Sequence, residues 1–283
     1  MSKLLMFLPL LFTASLSNAQ NALLWKITGG NTNKPSYLFG TIHLIPKSDF
    51  FIPSGTEKAL ESCHTLIGEM DLSDMSGQMS GMMAGMNMKG DTTLKMLLSE
   101  QEYLKLDSFF TSKLGFPLTM FNTMKPLLLS ALIAQGMPNE AEEMESYEMW
   151  FFDKARASNM KTRGLETAAD QLGFIDLIPY KTQVKQLLDA MEGEEDGTGL
   201  KKMIGMYKAQ DLDALHKEIS ESEGADLMEK FLLNNRNTNW VGLLQPIFKE
   251  GPVFVAVGAG HLPGPSGLIE LLRKAGYKVQ PVK

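Results

Sequence analysis

The stretch VFVAVGAGHL, residues 253–262, decides the fold predicted for this chain. Its first half is an uninterrupted apolar run, and its second half brings two glycines and then His261. A continuous apolar run of this length, closed by a glycine-rich turn, predicts a strand that is buried on both faces. A helical pattern follows over residues 263–276, with Ser266 as its expected N-cap. Because ligands of open α/β sheets bind beyond the carboxyl ends of the strands, His261 is expected where a functional group belongs.

A second stretch, near the start of the chain, repeats the pattern. In residues 36–44, SYLFGTIHL, an extended apolar segment ends in Gly40 and leads to His43, so both stretches contain Gly-x-x-His-Leu. We expect the glycine of each motif to let the backbone turn sharply. A third apolar segment, HTLIGEM, brings Glu69 close to a strand end. The pattern therefore predicts that His43, Glu69 and His261 point at the same edge of one sheet.

Two histidines and a glutamate form one of the ligand sets of catalytic zinc sites, which keep a further position open for water. The same nitrogen and oxygen donors suit manganese, cobalt or iron, so the pattern predicts a divalent metal without choosing among them. The alternative is a pair of buried core histidines that are satisfied by hydrogen bonds. Spacing alone leaves both interpretations open, because Gly-x-x-His is a short pattern.

Strand patterns lie at both ends of the chain, and helical patterns fill its middle. The sequence thus predicts an α/β fold with a central mixed β-sheet that is formed by both ends of the chain. A single domain is expected over residues 20–283, with a large, mainly helical insertion over residues 72–235. The strands expected besides the central one are residues 22–27, 37–42, 64–70, 161–165 and 277–282, of which the first two form a hairpin.

The segment over residues 72–90 is the one low-complexity part of the chain, with six methionines and four glycines. Because glycine at this density disfavours a helix, we expect a mobile loop or an adaptable lid over the crevice. The alternative is a binding site for copper(I), which is selected by thioether ligands.

The first nineteen residues resemble a secretory signal peptide. Lys3 precedes a short apolar core, and Ser17, Asn18 and Ala19 form a small-residue cleavage signal. We therefore expect a periplasmic or secreted protein, without stable membrane insertion because no later stretch reaches eighteen apolar residues.

A formal net charge of −6 argues against nucleic acid as a partner. The only cysteine, Cys63, is expected to be a buried small hydrophobe, and nothing in the sequence indicates an oligomeric state.

Five motifs extend the pattern along the whole chain: FGTIHL, LIGEM, RGLET, RNTNW and GAGHLPGPSGLIELL. In this order they resemble the TraB/PrgY/GumN family, and in particular its exported bacterial GumN-like members. That family includes the TIKI metalloproteases, which cleave the amino-terminal region of Wnt proteins, and it has been related to the erythromycin-esterase and ChaN-like fold. The resemblance therefore implies a fold of that type.

The resemblance also implies roles for individual residues. His43, Glu69 and His261 would bind a divalent metal or polarise water. Glu166 would lie in or beside the site, as a candidate proton shuttle, or else serve only as an acidic residue at a helix N-terminus. The pair Arg236 and Asn237 would orient a carboxylate or a substrate carbonyl, with a structural salt bridge as the alternative for the arginine. Glu148 stands where many members of the family have an aspartate.

Two functions follow from these expectations. The first is an exported metal-dependent hydrolase, a metallopeptidase of the TIKI type that acts on a peptide or protein substrate. The alternative is an envelope protein that binds a metal or haem without turnover. The two differ in whether catalysis accompanies binding. The remaining histidines, His64 and His216, are expected to be structural or solvated.

Overall fold

The fold is described from a computed structural model, which covers residues 22–30, 34–134, 143–195, 199–221 and 225–282. The signal peptide expected over residues 1–19 lies outside the described residues. Within the described part of the chain, no helix is long and apolar enough to span a membrane.

Eight strands and thirteen α-helices are found in the described residues. The strands are β1 (Leu24–Gly29), β2 (Ser36–Thr41), β3 (Ile45–Pro46), β4 (Thr65–Gly68), β5 (Met144–Glu145), β6 (Lys161–Gly164), β7 (Val253–Gly258) and β8 (Tyr277–Pro281). The helices are α1 (Thr56–Glu61), α2 (Met75–Gly85), α3 (Leu94–Leu97), α4 (Glu100–Leu114), α5 (Pro126–Ala134), α6 (Tyr147–Ala157), α7 (Ala168–Ile175), α8 (Tyr180–Glu195), α9 (Gly199–Lys208), α10 (Leu212–Ser220), α11 (Ala225–Met228), α12 (Asn235–Glu250) and α13 (Leu268–Lys274). Two 3₁₀ turns, Leu118–Phe121 and Ala259–His261, and one π-helical segment, Glu229–Asn234, complete the set.

Six of the strands form one mixed sheet in the order β6-β4-β7-β2-β1-β8. Strands β6, β4, β7 and β2 are parallel to one another, whereas β1 runs antiparallel to both β2 and β8. The predicted α/β class, with a central mixed sheet formed by both ends of the chain, is therefore confirmed. Since four neighbouring strands are parallel, their carboxyl ends lie along the same edge of the sheet.

The central strand β7 is buried over Val253–Val257, as its continuous apolar sequence predicts. Phe39 on β2 packs against Phe254 on β7 and against Phe151 on α6, with ring centroids 6.2 Å and 5.0 Å apart. Burying an aromatic side chain of this kind contributes about 1.5–3 kcal/mol to stability. The same core continues into α12 through Leu244 and Phe248. The residues that follow β2 and β7 at the carboxyl edge are thus attached to strands that are packed in the core.

The segment between the two sheet-forming parts is mainly helical, with the short strands β5 and β6 inside it. It has a hydrophobic core of its own, in which Phe110 of α4, Leu129 of α5 and Leu187 of α8 are fully buried. Beside this core, the buried ammonium of Lys125 forms an ion pair with Asp176, at 2.5 Å between Nζ and Oδ1.

The prediction of a loop over residues 72–90 is wrong, because residues 75–85 of this segment form the helix α2. The helix begins with a side-chain cap, in which the carboxylate of Asp74 accepts a hydrogen bond from the backbone N–H of Gly77 at 3.0 Å. Two of its glycines pack closely on α7: a Cβ at Gly85 would lie 2.8 Å from Leu172. Close helix packing therefore overrides the weak helix propensity of glycine.

The glycines of the two Gly-x-x-His motifs do not act as predicted. Neither Gly40 nor Gly258 has a positive φ, so a sharp turn is not the reason for a glycine. Instead, a Cβ at Gly40 would lie 3.1 Å from Ala259, and one at Gly258 would lie 3.2 Å from the carboxylate of Glu69. The glycines permit a close approach at the sheet edge. The predicted N-cap of α13 is also corrected, since Gly267 rather than Ser266 occupies that position.

Candidate functional site

The carboxyl edge of the parallel strands carries a cavity of about 270 Å³. His43 follows β2, Glu69 follows β4 and His261 follows β7, and all three side chains line this cavity. Arg236 of α12 and Tyr207 of α9 line it as well. A smaller cavity of about 90 Å³ adjoins it and shares His43 and Glu69. The structure thus brings together the three residues that the motifs single out.

His261 is held in one orientation by Asn237. The amide nitrogen of Asn237 donates to the backbone carbonyls of His261 and Ser266, at 3.2 Å and 2.9 Å. Its oxygen therefore faces the imidazole, and accepts a hydrogen bond from Nδ1 at 2.7 Å. Burial lowers the pKa of His261 to about 3, so the ring is neutral near pH 7. It follows that Nε2 is unprotonated and keeps its lone pair for a ligand.

His43 is held in a similar way by Glu148, which lies on α6. Its Nδ1 donates to Oε1 of Glu148 at 3.0 Å, and the same oxygen accepts a hydrogen bond from Thr41 at 2.7 Å. The hydrogen bond with Glu148 raises the pKa of His43 to about 9. The side chain is 63% exposed, in contrast to the buried His261. His43 therefore borders the solvent, whereas His261 lies inside the protein.

Glu69 is a buried carboxylate with several partners. Its Oε1 accepts a hydrogen bond from the backbone of Gly258 at 2.8 Å and lies 3.8 Å from Nε2 of His261. Its Oε2 accepts hydrogen bonds from Arg236 at 2.6 Å and from Gln171 at 3.1 Å. Burial alone would raise the pKa of Glu69, but the His261 ring, which is protonated only in acid, the charge of Arg236 and the hydrogen bond from Gly258 lower it to about 2. Glu69 is therefore ionised.

Arg236 bridges two buried carboxylates. Its Nη2 lies 2.6 Å from Glu69 and 2.9 Å from Glu166, and its Nη1 donates to the carbonyl of Leu232 in the π-helical segment. Trp240 lies one helical turn further along α12, where its indole N–H donates to Glu166 at 2.8 Å. The guanidinium also lies over this indole ring, 4.8 Å from its centroid. Arg236 is thus fixed by four neighbours and presents a constant positive charge behind Glu69.

Two of the expected site residues, Glu166 and Asn237, lie outside the lining of both cavities. Glu166 does not line either cavity, because Arg236 and Trp240 occupy its carboxylate and its side chain is 6% exposed. Burial raises its pKa despite the neighbouring guanidinium. Asn237, expected to orient a substrate group, has both ends of its amide hydrogen-bonded within the protein, to the carbonyls of His261 and Ser266 and to the ring of His261.

Sequence reasoning missed two contributors to the site. Trp240 ends the RNTNW motif but is not among the expected site residues, although its position four residues after Arg236 places both side chains on one helix face. That spacing is the signal that could have found it. Gln171 carried no signal, since its contact with Glu69 joins residues that are 102 positions apart.

The donors of the cavity fit a divalent metal by type. Each imidazole has its Nδ1 engaged by an oxygen acceptor, which is how metal-ligating histidines are usually oriented, and Nε2 of His261 is unprotonated. An ion would have to displace the proton that His43 carries on this nitrogen. In the part of the chain that the structure describes, however, no three His, Cys, Asp or Glu side chains are close enough to hold an ion. The two imidazoles and Glu69 therefore share a cavity without forming a closed ligand set.

Comparisons with known proteins bear on this site. A sequence profile of the TraB/PrgY/gumN family matches residues 23–281. The chain is 20% identical over 316 residues to "Metalloprotease TIKI2" of Danio rerio, covering 92% of this chain and 61% of that protein. It is 22% identical over 315 residues to "Metalloprotease TIKI1" of the same organism, covering 92% and 63%. The chain thus spans about three fifths of the length of these curated relatives. No solved structure matches it, so the likeness to the erythromycin-esterase and ChaN-like fold stays a prediction.

Proposed function

The chain belongs to the TraB/PrgY/gumN family, and on that premise we propose that it is an exported metal-dependent hydrolase that cleaves peptide bonds. The two similar proteins are both named metalloproteases, which supports a protease relationship. Their low identity and greater length leave the reaction, the substrate and the metal as proposals. Export rests on the leader-like sequence of residues 1–19, and amino-terminal sequencing of the protein from the cell exterior or periplasm tests it.

One observation carries the proposal. In both motif histidines Nδ1 is engaged by an oxygen of the protein, in the cavity that they share with Glu69. Nε2 of His261 keeps its lone pair, and Nε2 of His43 becomes a ligand once it loses its proton. In a core histidine, both ring nitrogens are usually hydrogen-bonded within the protein. In these two, only Nδ1 is engaged in this way among the described residues, and both rings line the same cavity. We assign His43, His261 and Glu69 as the residues that would hold the ion.

When bound, a divalent ion at this place would supply Lewis acidity towards a carbonyl and lower the pKa of water. The protein residues around it have separate tasks. Asn237 keeps the Nδ1–H tautomer of His261, and Glu148 fixes the ring of His43. Arg236 keeps Glu69 ionised, and Glu166 and Trp240 keep Arg236 in place. We therefore give Glu166 a positioning role instead of that of proton shuttle.

The lining of the larger cavity suggests the part of the substrate that binds there. Apolar side chains of α9, α10 and the π-helical segment contribute to its lining: Met203, Leu215, Ile219, Leu232 and Leu233. An apolar wall beside a few polar groups is typical of sites that bind a small apolar moiety in a fixed orientation. We propose that this cavity accepts an apolar side chain next to the cleaved bond.

The test measures metal content and peptide cleavage together. The protein and its His43→Ala and His261→Ala variants are purified and analysed by mass spectrometry for zinc, manganese, cobalt and iron. His64→Ala is the matched control, since His64 is exposed and lines neither cavity of the site. Cleavage of a mixture of unstructured peptides is then followed before and after chelation.

We expect metal in the protein and in the control, its loss in both site variants, and cleavage that stops on chelation and returns with metal. Full cleavage by a folded His43→Ala variant would contradict the proposal, as would metal that is unaffected by either variant.

A binding protein without turnover is the second candidate, and one observation favours it. Among the described residues, Glu69 is the only carboxylate that lines the larger cavity, and it is already paired with Arg236. Among the described residues that line this cavity, no unpaired carboxylate is therefore present to act as general base. Metal that depends on both histidines, with no cleavage of any peptide, would support this candidate.

A further inference from the structure

The helix α2 carries a row of exposed methionines. Met75, Met79 and Met82 follow one another at intervals of four and three residues, which places them on one face of the helix. Their exposed fractions are 56%, 57% and 39%. Met86 continues the row at the end of the helix, and Met83 lies at its border and is exposed. Large apolar side chains that stand together in water call for an explanation.

The core does not provide one, because α2 packs on α7 with a different face. That face consists of Gln78, which accepts a hydrogen bond from the backbone of Ala168 at 2.8 Å, and of Gly81 and Gly85. No residue of α2 is buried. The methionines are therefore not needed to hold the helix in place.

The composition of the row distinguishes a ligand site from a general apolar surface. Between residues 75 and 88 the only side chains without polar groups are those of methionine and one alanine, and no leucine, isoleucine, valine or phenylalanine occurs. A surface selected for apolar area alone would not need the same sulfur-bearing residue at each position. The stretch also contains no Asp, Glu, His, Lys or Arg, so no carboxylate, imidazole or fixed charge accompanies the sulfurs within it.

We propose that Met75, Met79 and Met82 form a binding site for copper(I), with Met83 or Met86 as a further ligand. Soft thioether ligands select copper(I) over zinc, manganese or magnesium. Residues at these spacings have Cβ atoms about 5–6 Å apart, and the unbranched methionine side chain has three rotatable bonds that let neighbouring sulfurs converge. The site is separate from the histidine cavity, since none of these methionines lines it.

A thiolate is not available to compete for the ion in the folded protein. The single cysteine, Cys63, is buried, and burial raises its pKa to about 12. The exposed His43 and the buried His261 are the competing ligands that an experiment has to separate from the methionines.

The test is a competition titration of the full chain with copper(I), under reducing and anaerobic conditions, against the chromophoric chelator bicinchoninate. The triple variant Met75→Leu, Met79→Leu and Met82→Leu keeps the apolar surface and the helix propensity and removes only the sulfurs. Met96→Leu is the matched control, because Met96 is 71% exposed and lies outside the row. Circular dichroism confirms that each variant is folded.

We expect the protein and the control to withdraw one equivalent of copper(I) from the chelator, and the triple variant to lose this ability. We also expect the ε-methyl carbon resonances of the three methionines to shift on addition of copper(I), and not on addition of zinc. Retention of copper(I) by the triple variant would overturn the proposal and would indicate that the row serves only as an apolar surface. Loss of copper(I) binding in a His43→Ala or His261→Ala variant with an intact row would overturn it as well.

Discussion

Replacing Arg236 by methionine is the sharpest test of the charge arrangement behind the cavity. Arg236 lies between Glu69 and Glu166, within 2.6 Å and 2.9 Å of their carboxylates, and all three side chains are at most 10% exposed. Methionine keeps much of the side-chain volume but leaves two buried carboxylates without their counter-charge. The expected loss is about 3–5 kcal/mol, which is the usual result of removing one partner of a buried ion pair.

A loss of about 3–5 kcal/mol is readily measured, because it is a large fraction of the free energy of unfolding of a domain, which is about 5–15 kcal/mol. The free energy of unfolding is obtained from urea titrations followed by circular dichroism, with equal slopes as the check that the same transition is compared. Arg163→Met is the matched control. Its ion pair with Glu250 is exposed, with side chains that are 43% and 58% accessible, so we expect about 0–1 kcal/mol.

A second substitution, Glu166→Gln, tests whether the loss of stability comes from the broken ion pair. Glu166→Gln alone should destabilise the protein, because it weakens the ion pair with Arg236. In the Arg236→Met background the same change should be neutral or stabilising, since it removes a buried charge that has lost its partner. An equal cost of Glu166→Gln in both backgrounds would refute the reasoning, as would a cost of Arg236→Met no larger than that of the control.

Three further predictions concern other parts of the fold. Gly40→Ala should destabilise the protein by about 1–3 kcal/mol in thermal unfolding, because a Cβ there would meet the turn after β7 at 3.1 Å, whereas Gly242→Ala, with nothing within 4 Å, should not. Cys63 should resist alkylation by iodoacetamide near pH 8 until the protein unfolds, since burial raises its pKa to about 12; rapid labelling of the folded protein, seen by mass spectrometry, would contradict this. Burial alone would raise the pKa of Asp176, but hydrogen bonds from Lys125 and Lys89 lower it. The ionised Asp176 should therefore stabilise the fold fully above about pH 4, and this contribution should disappear as the pH falls through the lowered pKa. Urea midpoints of the protein and of Asp176→Asn should therefore differ most near neutral pH and converge in acid.

The sheet could be predicted from the sequence because its signals are local. The apolar run of β7 begins at Val253 in the structure, as expected, and the predicted hairpin is the antiparallel pair β1 and β2. The positions of His43, Glu69 and His261 at one edge then follow from the parallel order of β2, β7 and β4. In each case a pattern of fewer than ten residues contains the information.

The supporting contacts could not be predicted, because each depends on the packing of distant segments. The hydrogen bond between Asn237 and His261 requires the register of α12 against the turn after β7. The helix α2 exists because its glycines fit against α7, which no property of residues 72–90 reveals. Sequence reasoning therefore found the residues that face the cavity and missed how Gln171 and Trp240 hold them.

The position of β7 also has a consequence for the biosynthesis of the protein. This strand lies inside the sheet, between β4 and β2, yet it comes long after both in sequence. The backbone N–H of Val253 donates a hydrogen bond to Oγ of Ser36, 217 residues earlier. During synthesis, β1, β2 and β4 therefore lack their central neighbour until the chain has been extended through β7. Non-local pairing of this kind makes folding slow and leaves apolar strand edges exposed in the meantime. The nascent chain should consequently depend on a holding factor until β7 has been made.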